Sequence, residues 1–283
     1  MSVRILCDSA CDISQEQAKE WNITIMPLKT IWGEEEYLDG VTMMHKEFYE
    51  KLVETDVLPT TSQLSPFEYE KVFKEVVEAG DTAVCLTISS GLSGSFQSAN
   101  IAREDYEDSI VVVDTQNACL GQHIIVKRAM ELRDAGKSAQ EIADILNEEK
   151  KQVRLVALVD TLEYLKKGGR ISAATALAGA VLNIKPVIAV VDGQVTVLGK
   201  ARGSKNGNNK LMELVQQNGG IDFDRPFVLG YSGLSDTLLQ KYIKDSSALY
   251  EGKTDNLPIA AIGSTIGTHV GPGAVAVAFF AGK

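Results

Sequence analysis

The sequence predicts an α/β fold of two parts, a parallel, doubly wound sheet domain followed by a mixed-sheet α/β domain. Three observations predict it: apolar β-branched runs alternate with helix-period segments along the chain, small polar residues open the helical segments, and one dipeptide marks a hairpin. At 283 residues, 45% hydrophobic and 23% charged, the chain is long and apolar enough to bury a large core.

Val3–Cys7, Ile23–Ile31, Thr82–Ile88, Ser109–Val113, Val153–Val159, Phe227–Tyr231 and Ile259–Ile262 read as strands, because β-branched side chains suit a pleated, half-buried surface. Between them, Ser14 with Gln17, Ser65 with Glu68 and Ser138 with Glu141 have the spacing of a capping box, and Pro66 is the favoured first-turn proline. Val187–Val191 and Gln194–Leu198 flank Asp192-Gly193, a dipeptide that favours a type I′ turn and hence an antiparallel pair. The boundary is expected near Thr161, giving 1–160 and 161–283.

The net charge of −10 argues against general affinity for nucleic acid or an anionic membrane, and 6% aromatic residues offer little for base stacking. The longest apolar run, Ala274–Gly282, is half of what a membrane span needs, and Asp8 interrupts the start before a leader could form, so a cytoplasmic protein without stable membrane insertion is expected. Cys7, Cys11, Cys85 and Cys119 form no metal-type spacing, so no metal, cofactor or disulfide framework is expected. Charge is uneven: residues 150–210 carry +8, leaving −18 elsewhere, which makes a docking face for an acidic or phosphate-bearing partner or simply a solvated surface.

Three segments have the composition of a binding site. Ile88–Phe96, ISSGLSGSF, follows a strand and opens a helix, so free amides and hydroxyls converge into an anion cradle, although serine capping alone explains the same residues. Pro59–Pro66 is a second hydroxyl-rich stretch ahead of a helix, equally compatible with turn chemistry. Gly263–Gly273 places His269 among glycines before an apolar strand, where an imidazole can donate a hydrogen bond or carry charge; His45 and His123 lie in helix-like surroundings and read as structural. Ala173–Leu182, small and apolar all round, fits a narrow tunnel wall or a tightly packed core helix. There is no P-loop, Gly91–Ser95 lacks the fifth glycine of a nucleophile elbow, and Gly271–Ala276 has too little chain after it for a dinucleotide fold.

In this order, PTTSQLS (59–65), ISSGLSGSFQSA (88–99), GGRIS (168–172), GKARG (199–203) and GTHVGPGA (267–274) resemble the DegV family of bacterial fatty-acid-binding proteins, the lipid-carrying subunits of fatty acid kinase. The resemblance spans almost the whole chain. It implies a two-domain fold that buries an acyl chain, much of the tunnel lying in the second domain, with the carboxylate hydrogen-bonded by Thr61, Ser93 and His269 and with Ser62, Gly94 and Thr268 in supporting loops. Neutral donors hold a carboxylate without the cost of burying a counter-ion. About fourteen methylenes at ~0.8 kcal/mol each contribute on the order of 11 kcal/mol gross, so the tail supplies affinity and the polar trio orientation. The resemblance further implies a fatty acid kinase catalytic subunit as partner, phosphorylating the bound carboxylate, with this chain a non-enzymatic carrier of the acyl phosphate for phospholipid synthesis. Arg170 and Arg202 are then candidates for docking that partner or steadying the phosphoryl group, although after GKARG the chain continues with Ser204–Asn209 where compared members often carry dense Lys and Arg. The alternative is a serine acyl hydrolase with Ser93 as nucleophile and His269 as base.

Overall fold

The computed structural model describes residues 2–172, 184–250, 252 and 256–282. β1 (Val3–Asp8), β2 (Thr24–Met26), β6 (Thr82–Thr87) and β7 (Ile110–Asp114) form a parallel sheet in the order β2-β1-β6-β7. Helices α1 (Gln15–Glu20), α3 (Pro66–Glu78), α4 (Ser95–Arg103), α5 (Cys119–Asp134) and α6 (Ala139–Glu149) connect or cover it. The capping serines behave as their spacing demands: Ser14 accepts from the Gln17 amide, and Ser65 and Ser138 form reciprocal boxes with Glu68 and Glu141.

The expected strand over Ile23–Ile31 is two strands in different sheets. Pro27, with no amide proton to give, separates β2 from β3 (Lys29–Trp32), and β3 pairs antiparallel with β4 (Glu35–Leu38) and β5 (Thr60–Ser62). That small sheet packs beside α2 (His45–Glu54), whose Phe48, Tyr49 and Leu52 are buried with Trp32 and Met43.

The mixed sheet runs β10-β9-β8-β13-β11-β12, from β8 (Val153–Leu158), β9 (Ile184–Val191), β10 (Gln194–Arg202), β11 (Phe227–Tyr231), β12 (Ile259–Ala261) and β13 (Val275–Phe280). Asp192 and Gly193 turn the β9–β10 hairpin with φ of 49° and 75°, as a type I′ turn requires. Because β8 hydrogen-bonds to β9 and β13, the change of sheet falls between Asp114 and Val153, ahead of the expected 160/161 division. α7 (Glu163–Lys167) follows β8. The strands alternate: Leu155, Ala276 and Ala278 join the main core shared with the parallel sheet, whereas Val156, Leu158, Val275 and Val277 face α8 (Gly203–Gln217) and α9 (Thr237–Asp245). The polar stretch 203–209 is thus the first half of a helix. Ala173–Leu182 lies outside the described residues.

Candidate functional site

The site begins at the carboxyl ends of the parallel strands, where open α/β sheets expose backbone to ligands. β1 ends on Asp8, whose buried carboxyl accepts from the amides of Ile88 (2.8 Å) and Ala10 (3.2 Å) and from Gln122 Nε2 (3.0 Å), fixing the start of the loop that follows β6. In that loop the Leu92 and Ser93 amides both donate to the Ser89 carbonyl, at 3.0 and 3.1 Å. Ser93 Oγ lies 3.0 Å from Ser95 Oγ and accepts from the Ser95 amide at 3.3 Å, at the start of α4. α4 itself begins after Gly94 with no side-chain cap, so the serine capping that the composition allows is not what these hydroxyls do.

Thr61 comes from the small sheet, in register with Thr30 of β3, and its Oγ1 lies 2.8 Å from Nε2 of His269. His269 sits on a helix, α10 (Ser264–Val270), where glycine density reads as a loop. The glycines answer to packing: a Cβ on Gly267 would lie 2.6 Å from Tyr49 Oη and 2.5 Å from Phe48. The helix start is held from a distance, for Asp39 Oδ1 accepts from the Ser264 amide (2.9 Å) and hydroxyl (2.8 Å), and Asp12 Oδ1 accepts from the Gly263 amide (2.8 Å). Both carboxyl oxygens thereby satisfy amides that have no acceptor within the helix.

Burial, with a smaller contribution from the Arg170 cation, pushes the His269 imidazole down to about 4, so the ring is neutral at physiological pH. Its Nδ1 is buried without a hydrogen-bond partner and packs against Gly168, where a Cβ would lie 2.8 Å from the ring's Cε1.

Thr61, Ser93 and His269 line one cavity of about 290 Å³. Ser62, Gln63 and Arg170 line it too, whereas most of its wall is apolar: Leu155 and Ala157 of β8, Ile188–Val190 of β9, Val195 of β10 and Ala274 and Ala276 around the start of β13. Ile262, Thr265, Ile266, His269 and Val270 present one face of the α10 segment to it.

The remaining candidates divide. Gly94 does not line the cavity; it precedes α4, and a Cβ there would lie 2.7 Å from Gln63 Cδ. Thr268 also lies off the wall, its hydroxyl donating to the Ser264 carbonyl within α10. Arg170 donates to the carbonyls of Leu92 (3.2 Å) and Gly168 (2.5 Å), and Arg202 is exposed at the end of β10, away from the cavity. His45 bridges the Ile262 and Gly233 carbonyls, and His123 is buried against the Cys11 carbonyl. For a hydrolase the geometry is wrong: Ser93 bonds to Ser95, Nε2 of His269 bonds to Thr61, and Nδ1 has no acid partner. Sequence reasoning left out Gln63, whose amide donates to Ser98 Oγ at 2.9 Å, and the anchors Asp12 and Asp39. Gln63 lies inside the PTTSQLS segment and was within reach; no local pattern announces the two acids. The described residues hold no cluster of metal-ligating side chains, and no helix among them is long and apolar enough to cross a membrane.

Fold and cavity together define an α/β protein with a mostly apolar cavity, lined also by hydroxyl, amide and imidazole groups and by the Arg170 side chain. The chain belongs to the DegV family: the family model described as "Uncharacterised protein, DegV family" matches residues 2–282. It is 34% identical over 282 residues to a DegV domain-containing protein of Deinococcus radiodurans, covering 98% of each chain. Among solved structures it is similar to a fatty-acid-binding DegV family protein from Thermus thermophilus (30% identity, TM-score 0.86, covering 99% of this chain and 100% of that one). It is likewise similar to a stearic acid-binding protein from Eubacterium ventriosum (30% identity, TM-score 0.86, covering 98% and 97%).

Proposed function

We propose that this chain binds a long-chain fatty acid, with the acyl chain in the apolar cavity and the carboxylate held at Thr61, Ser93 and His269, where the two hydroxyls donate to it and His269 orients Thr61. The observation that carries the reading is the single cavity that brings these three side chains to an otherwise mostly apolar wall. The similarity to solved DegV proteins described as binding fatty acids supports it. A neutral His269 has one ring proton, and an orphaned donor costs more than a lone pair left facing a nearby cation. We therefore place the proton on Nε2, donated to Thr61 Oγ1, which frees the threonine hydroxyl to donate to the carboxylate.

The finer reading is that the bound acid is presented to a separate fatty acid kinase catalytic subunit and that this cytoplasmic carrier shelters the acyl phosphate. The exposed Arg202 and the partly buried Arg170 are its candidate contacts with that partner or with the phosphoryl group.

Organic extraction of the purified protein, followed by mass spectrometry, is expected to release about one C16 to C18 acid per chain. Protein that is empty and takes up no palmitate refutes the binding reading. For the kinase step, palmitate-loaded protein with ATP and the kinase subunit yields an acyl hydroxamate on trapping with hydroxylamine, and with ATP alone yields none; no hydroxamate in either case refutes the carrier role.

A further inference from the structure

The loop that carries Ser93 is held by the other sheet. Ser89 Oγ, buried at the root of that loop, donates to the Gly193 carbonyl at the tip of the β9–β10 hairpin (2.8 Å) and accepts from the Gly91 amide (3.2 Å). One residue past the tip, Gln194 Nε2 donates to the Gly91 carbonyl at 3.0 Å. The approach is close enough that a Cβ on Gly91 would lie 2.7 Å from the Gly193 carbonyl oxygen, which explains a glycine at a position whose φ does not require one. The same hairpin supplies cavity wall through Val190 and Val195, three residues before and two after the Gly193 carbonyl.

We infer that Gln194, acting with the Gly193 turn, is a positioning residue for Ser93, so that the hairpin lining the apolar space also sets the hydroxyl that meets the ligand's charged end. The inference rests on the fatty-acid-binding reading for its consequence, though not for its geometry. Asp114 also holds the Ser90 amide and hydroxyl and Arg170 the Leu92 carbonyl; the hairpin adds the contacts that fix the Gly91 backbone between them before the ligand arrives, and pre-organisation of this kind raises affinity without touching the ligand. Gln194 is exposed and its side chain makes no contact with the cavity, so its removal spares the core.

The test is a double-mutant cycle on palmitate affinity together with amide hydrogen exchange on ligand-free protein. Gln194→Ala is expected to weaken palmitate binding about fivefold. Gln194→Met, near in size but without the donor, is expected to match it. Ser93→Ala costs less in the Gln194→Ala background than in the wild type, and exchange at residues 89–95 rises while that of the β1–β6 pair stays unchanged. Costs that simply multiply, a Gln194→Met variant that binds like wild type, or unaltered exchange in the loop each overturn the inference. If wild-type protein takes up no palmitate, the functional reading fails instead, and the exchange measurement alone decides whether the clasp positions the loop.

Discussion

Thr61 and His269 stand 208 residues apart in sequence, yet their side chains meet at 2.8 Å. A strand of the small sheet and a short helix before the last strand are brought together there. Replacing His269 with Ala leaves Thr61 without its fixed partner and opens space at the polar end. Palmitate affinity is expected to fall about tenfold or more, and Thr61→Val, which keeps the shape and removes the hydroxyl, about five- to tenfold. Isothermal titration on each variant checks this; wild-type affinity in both removes the pair from the site.

Gly168 tests the same imidazole from behind. Its φ of −74° admits any residue, but a Cβ would lie 2.8 Å from His269 Cε1. Gly168→Ala is expected to displace the ring and weaken palmitate binding severalfold while moving the melting temperature only a few degrees. A variant that keeps wild-type affinity shows that the ring's position does not matter.

The apolar wall of the cavity sets what fits. Ala276, 1% exposed on β13, and Ala157 on the neighbouring β8 line it. Leucine at either position fills space that long acyl chains would occupy, so affinity for C16 and C18 acids is expected to fall at least tenfold, with C10 to C12 acids affected less. A chain-length series on both variants decides, and an unchanged ranking places the tail elsewhere.

Stability should fall as pH rises from 6.5 to 8, through Asp12. Burial raises the Asp12 carboxyl from 3.8 to about 8, so the stability carried by its protonated form is lost as pH climbs through that value. Asp8, His123 and His269 titrate lower, and burial lifts the thiols of Cys7, Cys85 and Cys119 and the Tyr49 hydroxyl above this range. Asp8 is raised to about 6, again by burial, and loses its contribution as pH rises through 6; His123 and His269, lowered from 6.5 to about 4, contribute fully above 6.5 and lose stability as pH falls through 4. Urea unfolding is expected to show a loss of about 2 kcal/mol between pH 6.5 and 8, nearly abolished in Asp12→Asn, whose amide oxygen still accepts from Gly263. Equal slopes in the two proteins refute the assignment.

Much of this was legible in the chain. The capping serines and the Asp192-Gly193 turn are local devices, and local chemistry is what a sequence displays. Thr61, Ser93 and His269 line one cavity, and it is the resemblance to the DegV family that joins them, since hydroxyl and glycine clusters alone fit turns and caps as well. What stayed hidden depends on tertiary partners. Thr60–Ser62 reads as turn chemistry until β3 is there to pair with it, and Gly263–Gly273 reads as loop because nothing in the sequence says that Phe48 and Tyr49 crowd Gly267. Pro27 could have signalled the break after β2, but not that the next strand joins another sheet.

The distant acids at the root of α10 also impose a timetable. Its first amides rest on Asp12 and Asp39, made 251 and 225 residues earlier, so the helix bearing His269 is seated only once residues 264–270 have followed their anchors in synthesis. A nascent chain stalled before residue 264 holds Thr61 and Ser93 with no imidazole between them. A fatty-acid site that needs His269, as proposed above, is therefore completed only after residues 264–270 have been made.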